Sequence, residues 1–191
     1  SWPRFAQNMV FRFLNASTAD GYNPYRVTKN GVEWEAPDPD DPWANIGYWG
    51  DHQIVYLLML LERTRNYDPQ QLDQWLDAEY CTYSQVPYRI RSYEEIRQNP
   101  RESIDFDFDL AKRIESRVRD FGSDGKLLQN RDGGVYRATM GEKLLVPALA
   151  KMTNFVPEGG IWLNTQRPEW NDANNALAGY GLSMVTVCYL R

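Results

Sequence analysis

The residues best suited to catalysis in this 191-residue chain lie near its C-terminal end. Two carboxylates, three amides and an indole come close together in Glu169, Trp170, Asn171, Asp172, Asn174 and Asn175, with Arg167 just upstream. The pattern predicts a loop leading into a helix, where free backbone N–H groups and an indole that excludes water let one carboxyl keep its proton while another stays ionised. The structural alternative is that Asp172 is only the N-cap of the last helix.

A second candidate carboxylate is Asp51, in an apolar segment that we expect to be helical. At about 100° per residue, Asp51 falls within about 20° of Leu58, which belongs to the apolar stripe of that helix. A carboxylate on such a stripe must have a partner or face a cleft. Trp49 and His52 flank Asp51 and join it as candidate substrate-binding residues. The alternative is an Asp in the first turn of a helix that begins near Gly50, stabilised by the helix dipole.

The segment around Trp170-Asn171-Asp172, preceded by the acidic Glu169, resembles the Asp-Trp-Asn-Asp motif of the cellobiose and chitobiose phosphorylases. More broadly it resembles the six-hairpin, (α/α)6-barrel glycosidase superfamily. Upstream, Gly141-Glu142-Lys143 precedes an apolar stretch and then the motif, in a similar order of elements. Residues 48–53 resemble a barrel-helix segment of related uncharacterised bacterial proteins. The resemblance covers about residues 40–191.

The resemblance implies that Asp172, the last residue of the motif, is the general acid, and that Arg167, Trp170, Asn171 and Asn175 contribute to substrate binding. Glu169 stands where the family has Asp, and Ala173-Asn174 stand where it often has Cys-Leu. The implied reaction is inverting cleavage of a glycosidic bond: the acid protonates the leaving oxygen while water, or phosphate in a phosphorylase, attacks the opposite face of the sugar. Hydrolysis needs a base about 6.5–9.5 Å from the acid. Asp51 and Glu169 are the candidates within this chain.

Hydrophobic periodicity and capping signals predict a mainly α fold with few short strands. We expect helices over residues 3–15, 43–65, 69–76, 92–98, 104–121, 142–152 and 171–191. Asp41-Pro42 and Asp68-Pro69 mark two of the helix starts, and Ser92 with Glu95 forms a capping box at a third. Residues 104–121 begin with strict alternation and continue with the helical stripe Leu110, Ile114, Val118 and Phe121. We expect the apolar faces of residues 43–65, 104–121 and 172–191 to pack together. Residues 80–91 form at most an edge strand because they contain Pro87, and residues 16–42 form a long irregular segment. The resemblance implies helical hairpins arranged as part of an (α/α)6 toroid.

The first and last predicted helices carry further expectations. The inward stripe of the first helix is predicted to be Phe5, Met9, Val10, Phe13 and Leu14. In the last helix, apolar residues continue to Leu190 without a stop signal. We therefore interpret residues 1–191 as a single domain that is a fragment of a larger (α/α)6 catalytic domain, so that the remainder of the parent polypeptide is an expected partner.

Composition excludes several classes of protein. The net charge of −5 lacks the basic footprint of a nucleic-acid binder. The longest apolar run, residues 54–61, is far shorter than the ~20 residues of a membrane span. One histidine and two distant cysteines do not form a metal-binding pattern, so we predict no metal and no cofactor. Two cysteines are compatible with the reducing cytoplasm and also with one disulfide in an oxidising compartment, so they do not determine the cellular location. We favour the cytoplasm.

Aromatic residues make up 14% of the chain, with 7 Trp, 12 Tyr and 7 Phe. Their flat faces suit sugar rings, so the expected partner is an oligosaccharide, together with inorganic phosphate if the reaction is phosphorolysis. The alternative function is a non-catalytic carbohydrate-binding or structural helical domain, in which Trp49, Trp162 and Trp170 stack on sugar. A bell-shaped dependence of rate on pH separates an enzyme from these alternatives.

Overall fold

The structure is a computed structural model that describes residues 2–22, 26–34, 36–40, 51–100, 102–164, 177 and 179–191. For residues 2, 26 and 51–54 it describes the backbone only. About half of the described residues are helical and the strands are short, as the sequence predicts for a mainly α protein. No described helix is both long and apolar enough to cross a bilayer.

Two helices begin at the capping residues that the sequence predicts. The helix predicted over residues 104–121 begins only at Phe108, capped by Asp107, because Ile104–Phe106 pair as a strand with Tyr88–Ile90. The described part of the chain gives both ends of seven α-helices. They are α1 (Trp2–Ala16), α2 (Asp51–Tyr67), α3 (Pro69–Leu76), α4 (Tyr93–Gln98), α5 (Phe108–Phe121), α6 (Met140–Met152) and α7 (Met184–Leu190). Asp68 caps α3 by accepting a hydrogen bond from the Gln71 backbone N–H, and Pro69 follows at the first helical position. Ser92 and Glu95 form the predicted capping box at the start of α4. The predicted helix start at Asp41-Pro42 lies outside the described residues.

Nine short strands pair as hairpins or small ladders in the described part of the chain. They are β1 (Arg26–Thr28), β2 (Gly31–Glu33), β3 (Cys81–Thr82), β4 (Tyr88–Ile90), β5 (Ile104–Phe106), β6 (Arg137–Ala138), β7 (Phe155–Val156), β8 (Gly160–Trp162) and β9 (Leu182–Ser183). All of the pairs are antiparallel: β1 with β2, β3 with β6, β4 with β5, and β8 with both β7 and β9. Pro87 lies between β3 and β4, as its lack of an N–H requires.

The main core lies where α1, α2, α3 and α6 meet. Its buried residues are Val10, Leu14, Trp75, Cys81, Tyr83, Ala138 and Met140. Val10 and Leu14 confirm the inward face of the first helix, and burying each contributes about 1.5–3 kcal/mol. Phe5 contradicts that prediction, because 55% of its surface is exposed. It lies near the start of α1, more than one helical turn before Val10, the first buried residue among the described side chains of that helix.

A single helix over residues 171–191 is also wrong. Residues 179–181 form a turn, Leu182–Ser183 pair with β8, and only then does α7 begin, capped by Ser183. The physical reason is local. Gly179 has a φ of +81°, which ends any regular helix, and the next residues find backbone partners on another strand.

The predicted packing of residues 43–65, 104–121 and 172–191 against one another holds only in part. Helix α7 contacts α2, but the main neighbour of α5 is the 3-10 turn that follows it, Gly122–Lys126. An added Cβ at Gly125 would lie 2.5 Å from backbone atoms of Arg117 and Val118, so the turn lies directly on the α5 backbone. Phe121, the last residue of the predicted α5 stripe, is 65% exposed.

Candidate functional site

Most of the predicted site residues lie outside the described residues. These are Trp49, Arg167, Glu169, Trp170, Asn171, Asp172 and Asn175. Asp51 and His52 are described by their backbone alone, and they lie at the first two positions of α2. Their membership of a helix agrees with the sequence prediction. The choice between a cleft-lining and a dipole-stabilised Asp51 stays a prediction.

The two ends of the segment that carries the motif are tied together. Upstream, β8 pairs with β9, with Trp162 opposite Leu182. The pairing continues beyond the strands, because the Leu163 N–H donates to the Gly181 carbonyl at 3.0 Å and the Gly179 N–H donates to the Leu163 carbonyl at 2.6 Å. The Trp162 indole N–H also donates to the Gly179 carbonyl at 3.0 Å. The described residues on either side of this segment, Leu163 and Gly179, are therefore hydrogen-bonded directly to each other.

Close packing of Gly179 fixes the position of the junction at which Leu163 is hydrogen-bonded to Gly179 and Gly181. Gly179 lies against Pro100, and a Cβ at this position would overlap the proline ring, with its nearest atom at 1.9 Å. The positive φ of Gly179 independently disfavours any other residue. Because both the packing against Pro100 and the positive φ require glycine, the surrounding fold determines the position of Gly179.

An aromatic cavity adjoins the same junction. It has a volume of about 330 Å³ and is lined by Tyr93, Arg97, Thr153, Asn154, Phe155, Val156, Trp162 and Gly179. The Tyr93 and Trp162 rings meet edge to face, with centroids 5.9 Å apart and an interplanar angle of 75°. Tyr93 is 60% exposed and Phe155 is 51% exposed, so these rings present apolar faces to solvent. Aromatic faces beside a guanidinium and an amide can stack on a sugar ring and bind its hydroxyl groups.

A second cluster of reactive side chains lies inside the main core, around Lys143 on α6. The Lys143 side chain has no exposed surface, and its ammonium group donates to the Ser17 carbonyl at 3.1 Å. It also lies 3.6 Å from the centre of the Tyr83 ring. The Tyr83 hydroxyl in turn donates to the Glu142 carboxylate at 2.8 Å, and the Tyr136 hydroxyl lies 3.5 Å from both oxygens of that carboxylate.

Burial is the main cause of the pKa changes of Lys143, Cys81 and Tyr83 in this cluster. Burial lowers the pKa of Lys143 to about 7. The nearby Cys81 and Glu142 raise this pKa but offset the effect of burial only in part. Burial also raises the pKa of the Cys81 thiol, and it raises the pKa of Tyr83 together with the hydrogen bond to Glu142. The pKa of Tyr136 is raised chiefly by the negative charge of Glu142. Because Lys143 is fully enclosed, it cannot contact a substrate in this conformation, and we assign the cluster a structural role.

Sequence reasoning missed the cavity aromatic Tyr93 and the burial of Lys143. A signal existed for Lys143, since it lies on the same helical face as the buried Met140 and Lys151. The cavity had no such signal, because its residues come from α4, β7, β8, the turn between α6 and β7, and the turn at Gly179. Among the residues whose side chains are described, no group of three His, Cys, Asp or Glu is placed to hold a metal. Both cysteines are free, with Cys81 buried and Cys188 exposed.

No protein-family model and no curated protein matches this chain. The resemblance carried by residues 169–172 therefore stays a prediction.

Proposed function

We propose that this chain is a carbohydrate-active enzyme, or part of one, and belongs to an (α/α)6 toroid. It cleaves a glycosidic bond with inversion, and Asp172 is the general acid. Water or inorganic phosphate attacks the opposite face of the sugar, so the reaction is hydrolysis or phosphorolysis. Glu169 keeps Asp172 protonated by like-charge repulsion, and Asp51 or Glu169 is the candidate base within the chain.

The observation that carries the proposal is the position of the aromatic cavity. The cavity residue Trp162 donates its indole hydrogen to Gly179, which lines the cavity and closes the segment containing Trp170-Asn171-Asp172. A sugar stacked on Tyr93 and Trp162 would thus lie beside both ends of the segment that carries the proposed acid. The mainly α architecture of the described residues is compatible with helical hairpins.

A non-catalytic carbohydrate-binding domain is the second candidate, and the same cavity favours it. Stacking on Tyr93, Trp162 and Phe155 needs no proton transfer, and in that case Asp172 only caps a helix. The two functions agree on the ligand and differ on the chemistry, so they are separated by measuring binding and cleavage on the same variants.

The decisive experiment replaces Asp172 by Asn and follows disaccharide cleavage with and without inorganic phosphate, using proton NMR to identify the product anomer. Because Asn caps a helix about as well as Asp, the variant should fold normally and lose about 10²–10⁴-fold in rate if it supplies the proton. Asp107→Asn is the matched control, since Asp107 caps α5 by accepting from the Leu110 N–H at 2.8 Å. It should keep full activity. Cleavage that survives in Asp172→Asn would remove the catalytic assignment.

A parallel titration tests the cavity. Tyr93→Ala should weaken oligosaccharide binding by about tenfold, the loss expected for one stacking face. Tyr80→Ala is its control, because Tyr80 is 62% exposed against 60% for Tyr93 and does not line the cavity. Binding without cleavage would support the non-catalytic alternative, whereas equal binding by all of the variants would exclude the cavity as the sugar site.

A further inference from the structure

A polar cleft of about 300 Å³ lies between α1, the β1–β2 hairpin and the 3-10 turn that follows α5. Helix α1 contributes Asn8, Arg12 and Asn15, whose spacing of four and three residues places them on one helix face. The hairpin contributes Lys29 at its tip, and the 3-10 turn contributes Lys126. Residues far apart in sequence are thus brought around one opening.

The charge lining this cleft is of one sign. Arg12, Lys29 and Lys126 line it, and no carboxylate of the described residues does, although the chain as a whole has a net charge of −5. Among the described residues, Arg12 and Lys29 form no salt bridge and no side-chain hydrogen bond. Glu33, the carboxylate of the same hairpin, accepts the hydroxyl hydrogen of Thr28 at 2.9 Å and does not line the cleft. Like charges gathered without counter-charges favour binding of an anion.

Two polar groups of the cleft are held in position by contacts on their other sides. The Lys126 ammonium donates to the Val32 carbonyl at 2.7 Å and lies 5.5 Å from the centre of the Trp34 ring, which leaves it two further N–H donors. The Asn15 side-chain oxygen accepts from the Thr82 N–H at 3.0 Å, so its amide NH₂ group is free to donate elsewhere. Ser84 also lines the cleft, but it donates its single hydroxyl hydrogen to the Asn15 carbonyl at 2.9 Å, so it is not counted among the donors to a ligand.

We propose that this cleft binds a phosphate group, either as free inorganic phosphate or as the terminal phosphate of a small molecule such as a phosphorylated sugar. Cationic side chains together with an amide NH₂ group are donors from which phosphate oxygens accept hydrogen bonds. The volume lies at the lower end of the range for small-molecule sites. The proposal rests on Arg12, Asn15, Lys29 and Lys126 and uses no residue of the segment 165–176, so it stands independently of the proposed glycosidic chemistry.

Isothermal titration of the 191-residue chain with inorganic phosphate, with a hexose 1-phosphate and with the unphosphorylated hexose tests the proposal. The double variant Arg12→Gln/Lys29→Gln removes two cations from the cleft. The matched control, Arg65→Gln/Arg119→Gln, removes two exposed cations that do not line the cleft. The phosphorylated ligands should bind with saturation and the hexose should not. The cleft variant should weaken binding at least tenfold, the loss expected for charge-assisted hydrogen bonds, while the control changes affinity less than twofold.

The two phosphate ligands identify the source. Equal affinity for both means that inorganic phosphate is sufficient, and tighter binding of the hexose 1-phosphate means that the cleft also contacts the sugar. The proposal is overturned if neither ligand binds with saturation, if the cleft variant binds as well as the original chain, or if both double variants lose affinity equally, because equal loss reports net charge alone. Cleavage by the Asp172 variants is measured separately and is unaffected by any of these results.

Discussion

Replacing Lys143 by methionine should remove a pH dependence of folding stability that the protein owes to one buried amine. Methionine has a similar length and can fill the space beside Tyr83 without a charge. The replacement leaves no new unpaired carbonyl, because the Ser17 oxygen that accepts from Lys143 also accepts from the Ser84 backbone N–H at 3.0 Å. The variant therefore isolates the effect of the charge.

The sign follows from the direction of the pKa change. Burial lowers the pKa of Lys143 to about 7 in the folded protein, whereas its ordinary value is 10.5. Between these values the unfolded chain binds more protons than the folded protein, so the free energy of unfolding rises with pH. Below about pH 7 both states are protonated and the dependence disappears.

For a folded pKa of about 7, the linkage relation gives a rise of about 2 kcal/mol in the free energy of unfolding from pH 6 to pH 8.5. Above this window, Cys81 and Tyr83 act in the opposite direction. Their raised pKa values mean that the folded protein favours their neutral forms, and this stability is lost as the pH rises past their unfolded values. The measurement therefore stops at pH 8.5.

Urea unfolding at half-unit pH steps, followed by tryptophan fluorescence, gives the profile of each variant. The stability difference, Lys143→Met minus the original chain, should fall by about 2 kcal/mol from pH 6 to pH 8.5. This subtraction cancels the contributions to the pH dependence that the two proteins share. Lys151→Met is the control, since Lys151 is a second buried lysine on α6 and its replacement leaves Lys143 in place. Parallel profiles for the original chain and Lys143→Met would refute the assignment of a titrating buried amine.

Two further predictions concern the stability of the fold. Gly125→Ala should destabilise it by about 1–3 kcal/mol in thermal melts, because the added Cβ would lie 2.5 Å from the α5 backbone. Gly134→Ala is the control and should destabilise the fold clearly less, because the nearest atom to its added Cβ is a side-chain oxygen at 3.4 Å. Asp68→Ala should lower stability by about 0.5–2 kcal/mol through loss of the α3 cap, measured by urea unfolding, and a cost below 0.3 kcal/mol would show that the cap contributes little.

The starts of α3 and α4 could be predicted from the sequence because their signals are local. Asp68 with Pro69, and Ser92 with Glu95, satisfy backbone N–H groups only three residues away, so no distant part of the chain has to be known. The inward positions Val10 and Leu14 followed from helical period for the same reason. The chemistry assigned to Asp172 rests on a motif, and that part of the site stays a prediction.

Tertiary structure decided what depends on residues far apart in sequence. Lys143 is buried, and its ammonium group donates to the carbonyl of Ser17, 126 positions away. The Lys126 ammonium group donates to the carbonyl of Val32, 94 positions away. The short strand β9 exists because β8 offers it backbone partners, which override the helical period of residues 182–183. Hydrophobic period records which face of an element is apolar, but it carries no information about which distant segment covers that face, and burial, charge shifts and clefts all arise from that covering.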